Sequence, residues 1–275
     1  MPEPALDHLG EVVARRAVAG GDINRALRVE LADGRVLFVK HGAAAGAGFY
    51  AAEAAGLEWL REGPLPVPSV VEVAEDHLAL AWVESAPRAP GFGAALGEGL
   101  ARLHALGAAA YGAPGPTFIG TLELPNAAAA DWPAFYGEQR LAPLLRYAAG
   151  ALPDGCAARV ERLIGRLGDL CGPAEPIARL HGDLWSGNVM AGPAGEPWLV
   201  DPAAYGGHRE IDLAMLELFG APGAEFYAAY DDVWPRADGS AERMALNQVL
   251  PLLVHAALFG GGYGAAVDRA VRQYV

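Results

Sequence analysis

The sequence predicts an α+β protein of two unequal lobes: a small antiparallel sheet carrying one helix, then a larger, mainly helical lobe. Three observations lead there. Strand signals crowd into residues 24–83, the sequence beyond about residue 91 is mostly helical, and a proline-bearing stretch, Ser85-Ala86-Pro87-Arg88-Ala89-Pro90, lies between them. The expected division is therefore 1–84 and 85–275.

Each element has a local reason. Arg25–Leu31 and Arg35–Lys40 alternate or carry β-branched side chains, and Asp33-Gly34 between them is a hairpin signal. Residues 49–61 repeat apolar positions at helical spacing among strong helix formers. Pro64, Pro66 and Pro68 then stop that helix. Val70–Ala74 and His77–Val83 read as two more strands joined at Glu75-Asp76. In the second lobe, helices are expected near 91–107, 131–149 and 154–171, with a Gly/Pro-rich loop through about 130. A loop at 181–190, a short strand Trp198–Val200 and helices from Glu210 onward complete the chain. Gly46-Ala47-Gly48 opens the first helix as a dinucleotide-binding turn would, but the loop ahead of it is long and no βαβ units follow.

Bulk properties exclude more than they identify. The 275 residues are enough for one sizeable core, and no apolar run has the length and freedom from charge of a membrane span. The N-terminus lacks the basic start and apolar stretch of a signal peptide. Cys156 and Cys171, without metal-ligand spacing, read as reduced thiols of a cytoplasmic protein. A net charge of −13 argues against nucleic acid, which demands a basic face, and is compatible with a cationic substrate or with simple solubility.

The chemistry is concentrated in His181-Gly182-Asp183-Leu184-Trp185-Ser186-Gly187-Asn188 and Asp201-Pro202-Ala203. A carboxylate, an amide and a second carboxylate stand five and thirteen residues apart. Phosphoryl transfer from ATP uses such a trio: one Asp to orient and deprotonate a hydroxyl, and an Asn with an Asp to hold magnesium against the phosphates. Asp183 is the expected base, and Asn188 and Asp201 are the expected oxygen ligands of Mg2+. Each taken alone is also an ordinary turn residue; the combined spacing carries the reading. Lys40 ends a strand and Glu53 lies on the next helix, as a phosphate-binding lysine and its positioning glutamate would. Gly20-Gly21 would turn backbone N–H groups toward the nucleotide. Asp212 starts a helix, where capping or bracing of the catalytic loop are both open, and His181 reads as a structural hydrogen-bonder. His8, His41, His77, His104 and His255 show no paired spacing and receive no role. No Gly-x-Ser-x-Gly elbow supports a hydrolase.

These segments resemble the fructosamine/ketosamine (ribulosamine) kinase family, a branch of the aminoglycoside-phosphotransferase-like, protein-kinase-like fold. The stretches from His181 to Asn188 and from Asp201 to Met215 are similar to its two most specific signatures. Further similarities run through Gly20-Gly21, Phe38-Val39-Lys40, Glu53, residues 100–104, Trp132, Arg140-Leu141 and residues 259–263. The resemblance implies ATP-dependent phosphorylation of the 3-hydroxyl of a ketosamine, free or protein-linked, giving an unstable phosphate that releases the amine. It implies Asp183 as base, Asn188 and Asp201 on magnesium, Lys40 on phosphate and Glu53 positioning Lys40. It also suggests Trp185, His208 and Glu210 as substrate contacts, with core anchoring as the other reading of Trp185. The chain departs from the pattern in two places. Thr117-Phe118-Ile119-Gly120 and Leu124-Pro125-Asn126 lack two amides the family often has, and Asp22 adds a negative charge to the phosphate loop. The competing readings are a kinase of another hydroxylated amine, such as an aminoglycoside or a choline-like compound, and a nucleotide-binding pseudokinase.

Overall fold

A computed structural model describes residues 3–18, 25–42, 46–220 and 222–275. Five strands, β1 (Val12–Val18), β2 (Arg25–Leu31), β3 (Val36–His41), β4 (Val70–Val73) and β5 (His77–Ala81), form an antiparallel sheet in the order β1-β2-β3-β5-β4. The β2–β3 hairpin turns at Asp33-Gly34, with Gly34 at φ 88° and the Asp33 carboxylate accepting from Arg35 N at 3.0 Å. β1 is absent from the sequence-based expectation. It is an edge strand, half-exposed along its length, so no clean alternation marks it.

The pleat sorts the residues of β3. Leu37 and Val39 enter a small core with Leu6, Leu27, Val29, Leu31 and Ala79, while Phe38 and Lys40 leave the opposite face and line a cleft. On that second face lies α1 (Phe49–Leu60), whose Tyr50, Ala54, Leu57 and Leu60 are buried with Leu78 and Leu80 of β5.

The same core continues into the helical part through Leu96, Leu100 and Leu103 of α2 (Phe92–Ala105). Sheet and helices thus share buried surface behind the cleft, and trimming fully buried Leu100 to alanine costs about 2–5 kcal/mol. The remaining helices are α3 (Trp132–Phe135), α4 (Ala142–Ala148), α5 (Cys156–Ile164), α6 (Leu167–Leu170), α7 (Glu210–Phe219), α8 (Ala224–Val233), α9 (Met244–Phe259) and α10 (Tyr263–Val271). A π-helical turn over Tyr136–Leu141 joins α3 to α4, so the helix expected over 131–149 is continuous but locally widened.

Short ladders complete the fold. β6 (Thr117–Ile119) and β7 (Leu122–Leu124) form a hairpin, with Gly120 at φ 60°, inside the stretch expected as loop. β8 (Ala178–Leu180) leads into the loop at 181–188, and β9 (Val189–Ala191) leaves it to pair with β10 (Pro197–Leu199). β11 (Tyr205–Gly207) returns to pair with β8. Cys156 and Cys171 are free and buried, and burial pushes their thiols up to about 11 and about 12, so both stay protonated. Among the described residues no helix is long and apolar enough to cross a membrane.

Candidate active site

The two ladders fold the catalytic loop against the segment after β10. Ala203 N donates to His181 O at 3.0 Å and Val200 N to Asn188 O at 3.1 Å, so both ends of the loop are sewn to residues flanking Asp201. Asp201 has φ 56°, the only positive value at a non-glycine among the described residues. Asp tolerates this left-handed conformation at modest cost, and such strain gathers where a site needs an unusual chain direction. Here the turn brings Asp201 Oδ1 to 2.8 Å from Lys40 Nζ.

Asn188 is the centre of the cluster. Its Nδ2 donates to the Asp183 carbonyl at 2.8 Å and to Asp183 Oδ2 at 3.2 Å, and reaches the Asp201 carbonyl at 3.4 Å. Its Oδ1 accepts nothing among the described residues. Burial, and next the Asp201 carboxylate, push the Asp183 acid up to about 7 against the opposing Asn188 hydrogen bond. A carboxyl poised there can take a proton near neutral pH.

Across the cleft, Lys40 Nζ lies 2.6 Å from Glu53 Oε1, both residues buried. Burial disfavours the ammonium, but the Glu53 and Asp201 carboxylates outweigh it and hold Lys40 above its ordinary range. The lysine is therefore a fixed positive charge. Burial and Asp201 in turn raise Glu53, with Lys40 opposing them.

Asp212 braces the loop from behind. Fully buried at the start of α7, it accepts from His181 N at 2.7 Å and Gly182 N at 2.9 Å. His104 Nε2 lies 3.2 Å from the same carboxylate, and His104 Nδ1 is 2.7 Å from the Tyr230 hydroxyl. His181 is held as one tautomer: its Nε2–H donates to Val200 O at 2.9 Å, so Nδ1 is the acceptor for Asp183 N at 3.3 Å. Burial keeps that imidazole below its ordinary pKa, so neutral.

Lys40, Glu53, Asp183, Trp185, Asn188 and Asp201 all line one cavity of about 1720 Å³. A pocket for one small ligand is typically about 300–1,000 Å³, so this one has room for two. Its charged lining is Glu53, Glu84, Asp183 and Asp201 against Lys40. Four carboxylates and one ammonium disfavour an unescorted triphosphate and attract cations. Trp185 is 41% exposed at this cavity, which removes the core-anchor reading of its ring.

The structure does not bring His208 and Glu210 to the cavity. Glu210 accepts from Arg243 at 2.6 and 3.0 Å and from Asn247 at 3.0 Å, and His208 packs against Trp132 with ring centroids 5.9 Å apart. For Glu210 the reason is helical phase: Glu210 and Asp212 project about 200° apart, so a helix that aims Asp212 at the loop aims Glu210 away. Gly20, Gly21 and Asp22 lie outside the described residues.

Two features had no role assigned from sequence. Fully buried Arg140 sits over the Tyr205 and Phe135 rings at 4.2 and 4.6 Å and donates to Asn126 Oδ1 at 2.9 Å. Asn126 Nδ2 in turn donates to Thr117 Oγ1 at 3.0 Å. The remaining amide of the departed segment thus orders the loop beside the cavity. An arginine within an aromatic helix was its available signal. The second feature is His255, which lines the cavity on α9; an isolated histidine in an apolar helix gave no signal.

A family model described as fructosamine kinase matches residues 5–275. A Thermus thermophilus protein named a probable ketoamine kinase is 39% identical over 256 residues, spanning 92% of this chain and 90% of its own. A crystal structure from Thermobifida fusca, provisionally designated a fructosamine-3-kinase, superposes with TM-score 0.89 at 42% identity, covering 96% of this chain and 94% of that one. An aminoglycoside phosphotransferase variant, solved with ADP and hygromycin B, superposes with TM-score 0.63 at 16% identity, covering 98% of this chain and 97% of that one. That last likeness shows the fold alone, a protein-kinase-like phosphotransferase architecture.

Proposed function

The chain belongs to the fructosamine kinase family, and on that premise we propose that it transfers the γ-phosphoryl group of ATP to the 3-hydroxyl of a ketosamine. The observation that carries the reading is Asn188 tying Asp183 to Asp201 in a cavity that also receives Lys40. In this reading residues 1–84 hold the nucleotide, and residues 85–275 carry the catalytic loop and the acceptor.

Asp183 orients the sugar hydroxyl and takes its proton as that oxygen bonds to phosphorus and the bond to ADP breaks. Asn188 Oδ1 and the Asp201 carboxylate are the two oxygens that would hold magnesium. The fit rests on donor chemistry: both are hard oxygens, the Asp201 side chain is 42% exposed, and Asn188 Oδ1 has no competing partner among the described residues. Few protein ligands suit an ion that keeps water and phosphate oxygens. Magnesium ATP supplies the phosphoryl group and neutralises its charge when bound. Lys40, fixed by Glu53, offers its ammonium to the phosphates, Phe38 and Leu80 form an apolar wall for the base, and Trp185 offers a face to the sugar. The 3-phosphate product is unstable and frees the amine.

A kinase for another hydroxylated amine is favoured by the same acidic cleft. ADP release measured across free and peptide-linked ketosamines, an aminoglycoside and choline decides between them. Ketosamine-dependent release is the expected result, and release with an aminoglycoside or choline alone overturns it.

A further inference from the structure

The cavity has an aromatic wall that the phosphoryl-transfer chemistry leaves unused. Phe219 at the end of α7, His255 and Phe259 on α9, and Tyr263 at the start of α10 all line it. The His255 ring stacks on Phe219 with centroids 4.4 Å apart, and lies 5.0 Å from Tyr263 and 5.5 Å from Phe259. Ser186 Oγ donates to Phe219 O at 2.7 Å, which anchors this wall to the loop carrying Asp183 and Trp185. The wall therefore stands on the acceptor side of the cavity.

His255 presents one defined tautomer. The Pro251 carbonyl, 2.8 Å from Nδ1, can only accept, so the proton sits on Nδ1 and Nε2 keeps its lone pair. Nε2 has no partner among the described residues and is not sealed away from the cavity. Burial holds the imidazole below its ordinary pKa, so the ring stays neutral. An accessible lone pair among aromatic faces, in a cleft dominated by carboxylates, suits a cation that bears an N–H. The faces attract an ammonium, the lone pair accepts from it, and the carboxylates raise its local concentration.

We infer that His255, backed by Phe219 and Tyr263, binds the protonated secondary amine of the ketosamine and so makes the amine a determinant of specificity. This rests on the ketosamine-kinase reading. It adds that the sugar is selected together with its nitrogen.

The test compares two acceptors for the full chain: a 1-alkylamino ketose and the same ketose joined through an ether oxygen. The unmodified protein should favour the amine in kcat/KM by about 10-fold or more, as expected for a hydrogen bond to a charged group. His255→Ala should bring that ratio near unity, chiefly through KM for the amine. His255→Gln, whose side-chain oxygen can accept in place of Nε2, should restore part of it. Phe219→Leu, which keeps volume but removes the aromatic face, should lower the ratio several-fold and decides the matter if the alanine variant does not fold. No amine preference in the unmodified protein, a ratio unchanged in a folded His255→Ala variant, or, where that variant does not fold, a ratio unchanged in Phe219→Leu, overturns the inference while leaving the kinase intact. Phosphorylation of neither acceptor overturns the ketosamine reading itself.

Discussion

Replacing Asp183 with asparagine should remove activity and raise stability. Burial and the Asp201 charge push this carboxyl from 3.8 up to about 7. Between those values the folded state binds more protons than the unfolded state, so this group's contribution to stability falls as pH rises through the window and is level above it. A tenfold change in proton affinity corresponds to about 1.4 kcal/mol, so the full displacement corresponds to about 4 kcal/mol of destabilisation above about pH 7. Asp183 is only half-buried, and solvent screening reduces this to about 1–3 kcal/mol. Asparagine keeps the shape and an oxygen for the Asn188 amide, now 3.2 Å from Asp183 Oδ2, without the charge. Urea denaturation of both ligand-free proteins should show a small difference at about pH 4 and a variant more stable by about 1–3 kcal/mol at about pH 8. Turnover should fall by about 10²–10⁴-fold. A variant no more stable than the parent at the higher pH would refute the argument that this site holds its base at a cost to the fold.

Three further outcomes follow from the same contacts. Asp201→Asn should weaken magnesium-dependent nucleotide binding, read by titration with and without the metal; equal affinity in the two titrations of the parent would contradict the assignment. Lys40→Met leaves the buried Glu53 carboxylate without its cation and should cost about 3–5 kcal/mol in urea denaturation, with part regained in Lys40→Met/Glu53→Gln; equal stability of the single and double variants would contradict the coupling. Asp212→Asn turns an N–H toward one of the two backbone donors it now receives and should cost about 2–4 kcal/mol and lower kcat; unchanged stability and turnover would remove it as the brace of the loop.

Much of this was legible because local chemistry and tertiary role coincide. Asp33-Gly34 must turn, three prolines must end α1, and a loop that gathers Asp183, Asn188 and Asp201 advertises itself by residue type and spacing. What could not be read depends on packing direction. β1 is an edge strand with no strict alternation, and β6 and β7 are three-residue strands set among glycines and prolines. Glu210 sits beside Asp212 in sequence, yet only the phase of α7 decides which of the two meets the loop, and His208, ahead of that helix, packs on Trp132 instead. His255 acquires chemical meaning only once α7, α9 and α10 meet around it.

A phosphorylated product is the most direct sign of the proposed chemistry. Incubated with magnesium ATP and a ketosamine, the parent protein should add one phosphoryl group to the sugar's 3-hydroxyl, seen by mass and by phosphorus NMR, and Asp183→Asn should add almost none. ADP formed without a modified ketosamine, or equal product from the variant, would contradict it.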